Sequence, residues 1–296
     1  TLLDSVTSIG SRAFRDCNTL QSVYFLGAPP TVGSTAFLNA AAGAKAIVPT
    51  QFIENFGGNG AVWNGLMVEE CVALCWLTWT TTDGEVRITD CNEAASGELV
   101  IPNTVGGNPV TSIGDRAFFV CTELTSITMP DSVTSIGVLA FGGCSSLTSV
   151  TIPENVTSIG GRAFYNCSSL ASVTIPENVT SIGSYTFYLC SNLENITIPD
   201  SVTSIGGGAF QGCTSLTSIT LGSGISSLGI SVFSNCSSLA SVTIPENVTS
   251  IGQWSFKDCS SLASVTFLGN APSVDAQAFS GVADGAVAIV SGGKQA

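Results

Sequence analysis

Eleven cysteines and twenty-one acidic side chains are the groups in this 296-residue chain that could do chemistry, and no histidine is present to assist them. Without imidazole there is no Ser-His-Asp or Cys-His nucleophile, no commonest general base and no commonest zinc ligand. Seven cysteines recur every 23 residues, at Cys121, Cys144, Cys167, Cys190, Cys213, Cys236 and Cys259. At that regular spacing they read as a buried core ladder of small apolar thiols or, less simply, as a zipper of disulfides. No His and no flanking Lys or Arg stands where it would lower a thiol pKa, so no cysteine reads as a nucleophile. Cys71, Cys75 and Cys91 lie off the ladder. A disulfide among them, no bond, and a weak metal site are the three readings for this trio.

An acidic column follows a set of regularly spaced prolines: Asp131, Glu154, Glu177, Asp200 and Glu246. Neighbouring carboxylates ~5 Å apart repel by only ~1 kcal/mol in water, so a solvated edge explains them. The sharper reading is a weak structural Ca2+ site between turns, borrowing oxygen from Asn155, Asn178 or backbone carbonyls. Hydroxyls form the other pattern. Ser126 and Thr128, Ser149 and Thr151, Ser172 and Thr174, Asn195 and Thr197, Ser218 and Thr220, and Ser241 and Thr243 all fall at alternating positions in apolar-polar runs. β-Propensity accounts for Thr on an exposed strand. A binding face for protein or glycan is the functional reading, and an ice-binding array is a remote one. Asn-x-Ser/Thr at Asn155, Asn166, Asn178, Asn195, Asn235 and Asn247 is a by-product of the same regularity unless the chain passes through a glycosylating pathway.

These groups are positioned by a repeat. Ile-Gly recurs at 113, 136, 159, 182, 205 and 251, with Leu228-Gly229 filling the gap, and Phe118, Phe141, Phe164, Phe187, Phe210, Phe233 and Phe256 keep the same step. In one copy, Leu170, Val173 and Ile175 give the spacing L-x-x-L-x-L. Val173 and Ile175 alternate with Thr174, as in a strand with one buried face. Pro176 ends that strand because it has no N–H for a ladder, and Gly183 allows the bend into the next copy. No single copy can enclose its apolar residues, so neighbours must stack to make a core. The expected fold is a β-rich repeat solenoid, a right-handed leucine-rich-repeat coil of short strands with capped ends. The pattern A-F-x-x-C-x-x-L-x-S-V-x-I-P-x-x-V-x-x-I-G resembles the BspA-like class of leucine-rich repeats. That resemblance implies a curved solenoid with a role in adhesion or ligand binding at a surface, and no enzymatic activity.

A longer period overlies the short one. Residues 1–48 match residues 243–290 at 25 of 48 positions, including Phe25-Leu26-Gly27 with Phe267-Leu268-Gly269 and Ala46-Ile47-Val48 with Ala288-Ile289-Val290. Both segments leave the 23-residue rule after F-L-G. Residues 1–56 therefore read as the end of a first array with its closing cap, 57–75 as a junction, and 76–296 as a second array. Within the second, 76–98 is the N-terminal cap, 99–268 the repeats and 269–296 the C-terminal cap. Trp63, Trp76 and Trp79 cluster where ends need covering, while Trp254 stands alone as a contact point.

Charge narrows partners further. A net charge of −13 with eight Lys plus Arg leaves no basic footprint for nucleic acid. No run approaches ~20 apolar residues, so membrane insertion is not expected. The function expected is a non-catalytic extracellular or cell-surface adhesion scaffold that binds protein or glycan through its repeat face. The alternative is a building block of an extracellular stalk or fibre, made of tandem units of about 242 residues and binding copies of itself.

Overall fold

The computed structural model describes residue 2 and residues 6–25, 27–71 and 76–290. The chain divides into two compact units, Thr1–Leu77 and Thr78–Ala296. Almost all regular structure is short parallel strand, with one 3-10 turn at Thr50–Phe56.

In the second unit each turn contributes two strands. One carries the L-x-S-V-T run, as in Leu124–Thr128, Ser149–Thr151 and Ser172–Val173; the other is a two-residue Ser-Ile strand, as in Ser135–Ile136 and Ser158–Ile159. Like strands pair in parallel and in register with a shift of 23 residues: Ile127 opposite Val150, Ile136 opposite Ile159, Ile182 opposite Ile205. Such pairing gives a step of ~4.8 Å per turn. Between the Pro and the Ser-Ile strand a fully buried valine (Val133, Val156, Val179, Val202) turns inward. The array opens on a hairpin, Leu77–Thr82 and Glu85–Cys91, joined by Asp83-Gly84 with φ of 53° and 79°. Positive φ at both central residues matches the twist of the strands, so the pair closes tightly. Ile88 then stands opposite Ile113, and the parallel ladder starts there.

Because every turn is offset by one register step, each side chain packs on its own equivalent. Phe118, Phe141, Phe164, Phe187, Phe210, Phe233 and Phe256 are fully buried, and successive rings stack with centroids 5.1–5.5 Å apart. The glycines of Ile-Gly stack as closely: a Cβ on Gly160 would lie 2.6 Å from the backbone of Gly137 and Val138. A side chain there would push two turns apart, so glycine is required by backbone approach rather than by φ.

The first unit repeats the design and shows how an array is closed. Phe14 and Phe37 stack 5.1 Å apart, and Ser22–Tyr24 pairs in parallel with Lys45–Pro49. The segment expected as a junction is folded: Leu66–Cys71 pairs in parallel with Lys45–Pro49, and Val62–Trp63 pairs antiparallel with Leu66–Met67. Phe56 and Trp63 pack on Phe25, with centroids 5.1 and 5.2 Å away. Trp63 thus covers the end of this array, and Trp76 is buried while Trp79 is 37% exposed. In the second unit Val287–Val290 pairs with Ser264–Phe267, as Lys45–Pro49 does with Ser22–Tyr24. Its side chains are nonetheless exposed, where Ala46, Ile47 and Val48 are buried.

The ring ladder predicts position-dependent losses. Phe187→Ala removes contacts to both Phe164 and Phe210 and should cost about 3–5 kcal/mol in urea unfolding. Phe279→Ala, which touches only Phe256 in the ladder and is half-buried, should cost clearly less.

Candidate functional site

The cysteine ladder is built from neutral thiols. Cys121, Cys144, Cys167, Cys190, Cys213, Cys236 and Cys259 are fully buried and unbridged. Each from Cys144 onward donates its S–H to the carbonyl of the ring-ladder phenylalanine 26 residues earlier, at 3.0–3.2 Å, as Cys144 does to Phe118 and Cys213 to Phe187. Burial pushes the thiols of Cys190 and Cys259 up to about 12 and those of Cys144, Cys167, Cys213 and Cys236 up as well. A thiol held protonated is neither nucleophile nor metal ligand; here it satisfies a buried carbonyl. Of the off-ladder trio, Cys91 is free and buried, its pKa raised first by its hydrogen bond with Cys121. Cys71 is disulfide-bonded, and Cys75 lies outside the described residues.

The acidic column is exposed throughout, at Asp131, Glu154, Glu177, Asp200 and Glu246. What links neighbouring turns there is an asparagine ladder. The side-chain amides of Asn155, Asn178 and Asn247 donate to the carbonyls of Asp131, Glu154 and Ser223 at 2.7–2.9 Å. Asp200 accepts the backbone N–H of Ser223 at 2.7 Å, which holds its carboxyl below the ordinary value. Among the described residues, no three His, Cys, Asp or Glu side chains converge as metal ligands.

The hydroxyl ranks are where the alternation puts them. Thr128, Ser149, Thr151, Ser172, Thr174, Asn195, Thr197, Ser218, Thr220, Ser241 and Thr243 are exposed, and Ser126 is half-buried. Ser126 stands opposite Ser149, Thr128 opposite Thr151, and Asn195 and Thr197 opposite Ser218 and Thr220. The ladder beneath them is interrupted rather than continuous. Gly97–Val100 through Ser172–Val173 form one sheet, Asn195–Thr197 and Ser218–Thr220 a second, and Ser241–Ile244 onward a third.

Sequence reasoning missed a further surface, on the turn around each ladder phenylalanine. Two residues before and two after that ring the backbone is left-handed: Arg116, Leu139, Arg162, Tyr185, Ser231 and Trp254 before, and Val120, Asn166, Leu189, Asn235 and Asp258 after, all with φ of 55–61°. The conformation aims N–H groups along the stack. Arg162 donates to Ser184, Phe164 to Thr186 and Asn166 to Tyr188, at 2.7–2.9 Å. Gly208, Gly143 and Gly212 occupy the same positions with φ of 63–78°. A side chain in this region costs roughly 1–2 kcal/mol that glycine avoids. Large side chains sit there anyway: Arg116, Arg162, Tyr185, Leu189 and Trp254 are exposed and Val120 and Leu139 half-buried, with Phe119, Val138 and Ile230 exposed beside them. Arg162 lies 5.1 Å from the Tyr185 ring centre, Arg116 5.7 Å from Phe119, and Lys257 5.6 Å from Trp254. The signal that could have revealed this rank is one repeat position that varies from Arg and Leu to Tyr, Gly, Ser and Trp while the Gly two residues before it and the Phe two after stay constant.

Two outcomes follow from the thiol ladder. Ellman's reagent at pH 8 should label Cys17, which is half-exposed, in the folded chain and the ladder cysteines only after unfolding. Stability should also fall as pH rises from about 9 toward about 12. In that window unfolded thiols ionise while buried ones, with pKa raised from 9.0 to about 12 at Cys190, cannot follow, so the unfolded state binds fewer protons. Each such thiol then contributes about 1.4 kcal/mol of loss per pH unit, readable in alkaline urea titrations.

The comparisons agree with this architecture. The model of the BspA type leucine rich repeat region matches residues 1–59, 97–193 and 180–284, in six copies. A leucine-rich repeat protein of T. pallidum is 30% identical, with a TM-score of 0.59, over 64% of this chain and 89% of its own. One from Bacteroides ovatus is 28% identical, with a TM-score of 0.56, over 67% of this chain and 65% of its own. A leucine-rich cell surface protein of Faecalibacterium prausnitzii is 28% identical over 99% of this chain and 78% of its own, with a TM-score of 0.45. No curated protein matches. With its repeat, its ring and thiol ladders and well over half its length matched, the chain belongs to the BspA-type leucine-rich repeat family.

Proposed function

We propose that the chain is a non-catalytic recognition scaffold of the cell surface or extracellular space, binding protein or glycan through its repeat face. The observation that carries this is the exposed hydroxyl rank, held in register on strands whose other side is fully packed. Solenoids present such strands as extended, pre-formed binding faces, and a rigid surface loses little freedom on binding. Several things speak against catalysis as the role: no histidine in the sequence, ladder thiols held neutral, and carboxylates spread along a solvated edge. Family membership supports a protein-interaction role. No helix among the described residues is long and apolar enough to cross a membrane.

A second reading has its own support. The match between residues 1–48 and 243–290, at 25 of 48 positions, suits a building block repeated along a stalk or fibre.

Light scattering coupled to size exclusion, on the native protein with and without calcium, separates the two. A monodisperse monomer supports the recognition scaffold. Concentration-dependent assemblies support the stalk, and their dependence on calcium would give the acidic column a role. For the scaffold reading, the full chain on arrays of extracellular proteins and glycans should bind selectively. Replacing Thr128, Thr151 and Thr174 together by Glu should weaken that binding at least tenfold and shift the melting temperature by no more than a few degrees. Unchanged binding in that variant would sink the hydroxyl face as the site.

A further inference from the structure

The turn surface carries a site of different chemistry from the strand face. Across successive turns Phe119, Leu139, Arg162, Tyr165, Tyr185 and Tyr188 line a groove of about 510 Å³ that ends at Gln211, a volume suited to a small ligand. Its rings pack on one another and on a cation. Tyr165 and Tyr188 stack 5.1 Å apart at 10°, Tyr188 and Tyr185 meet edge-on at 5.6 Å, and the Arg162 guanidinium lies over Tyr185. Tyr185 also lies against Gly208, where a Cβ would come within 2.5 Å of its ring. The groove offers three phenol hydroxyls, a guanidinium and a carboxamide beside the apolar Phe119 and Leu139. None of these polar side-chain groups has a hydrogen-bond partner among the described residues.

Charge sharpens the ligand class. Of the eight Lys and Arg in a chain of net charge −13, five (Arg12, Arg15, Arg116, Arg162 and Lys257) lie within two residues of a ladder phenylalanine; Arg15 and Lys257 pair there with Asp16 and Asp258, whereas Arg162 has no ion-pair partner among the described residues. No carboxylate lines the groove. A planar guanidinium flanked by hydroxyl donors matches a carboxylate in bidentate fashion, and the remaining phenols and amide match the hydroxyls of a sugar ring. Arg162 and Tyr185 sit at φ of 59° and 58°, the left-handed conformation shared by equivalent positions in neighbouring turns, so consecutive turns hold the two side chains next to each other on the outer surface.

We propose that this groove is a binding site for a carboxylate-bearing sugar of the uronate or sialate kind, with Arg162 holding the carboxylate and Tyr165, Tyr185, Tyr188 and Gln211 the ring hydroxyls. The site lies on the turns, so its failure would leave the hydroxyl-face reading standing, and the Thr128, Thr151 and Thr174 variant should not affect it.

Calorimetric titration of the full chain with digalacturonate and sialyllactose, against lactose, acetate and a short oligoglutamate, tests the assignment. Saturable binding of a carboxylated sugar at least tenfold tighter than of lactose is expected. Arg162→Gln should reduce it tenfold or more, and Arg162→Lys, which keeps charge without the fork, should not restore it fully. Tyr185→Gly relieves the left-handed strain, so it should keep or raise the melting temperature while weakening the sugar; it also serves if Arg162→Gln folds poorly. Four results would each overturn the proposal: no carboxylated sugar binds, binding survives Arg162→Gln and Tyr185→Gly, acetate binds as tightly, or oligoglutamate binds as tightly. The last would make the groove an acidic-peptide site instead.

Discussion

Every turn of this protein must lie on its neighbour in register, one strand spacing away, and that single requirement selects the residues. A position inside the turn has room only for a group that packs on a copy of itself. Phenylalanine does so by parallel stacking at 5.1–5.5 Å. Cysteine does so because its S–H reaches the carbonyl of the turn before it. Glycine does so where two backbones nearly touch. A charged group cannot, since equivalents stacked in a dry core would repel strongly and leave their hydration behind. The described interior accordingly holds no charged side chain; its buried polar residues are Thr186, Ser234 and Ser255. Thr186 and Ser255 each donate to a carbonyl, at Gly183 and Gly252.

The same geometry explains why chemistry is absent from the core and displaced to the outside. A solenoid of short turns has few places where a nucleophile, a base and an oxyanion donor converge, because equivalent side chains run parallel. The thiols are the clearest case: regular spacing at the distance of neighbouring turns brings them close, but side by side rather than head to head. Burial then holds them neutral. The acidic residues, placed just past the strand-ending prolines, keep their water and repel weakly across the turns.

Two outer surfaces remain, and they are made differently. The strand face is a consequence of alternation: one side of the ladder is packed, so the other must be small and polar, and Ser and Thr meet that need at no cost to the backbone. The turn face is held by left-handed residues that direct N–H groups to the next turn. There the sequence departs from the least strained choice, placing Arg162 and Tyr185 where Gly208 shows that glycine serves the fold. Residue choice on the strand face follows from alternation, whereas the turn position varies through Arg, Leu, Tyr, Gly, Ser and Trp along the array.

The sequence by itself determined the repeat length, the strand with Val173 and Ile175 inward, the inward turn of Val179 and Ile182, and the placing of the ladder cysteines in the core. All of these follow from periodicity and from the need to bury apolar positions that one turn cannot enclose. The matching of residues 1–48 to 243–290 was legible too, because identical residues in identical order pair identically. Only the tertiary structure decided that residues 62–71 fold back as the closing hairpin of the first unit, since that segment follows no repeat and its pairing with Lys45–Pro49 is a contact at a distance along the chain. It also decided that the strands beneath the hydroxyls fall into three sheets rather than one, with breaks at which the apolar-polar alternation shows no change. The Arg162–Tyr185 groove lay beyond sequence reading for a related reason: it is assembled from side chains on neighbouring turns, three of them (Leu139, Arg162 and Tyr185) on a left-handed backbone, and φ is set by the hydrogen bonds of stacked turns rather than by the residue that adopts it.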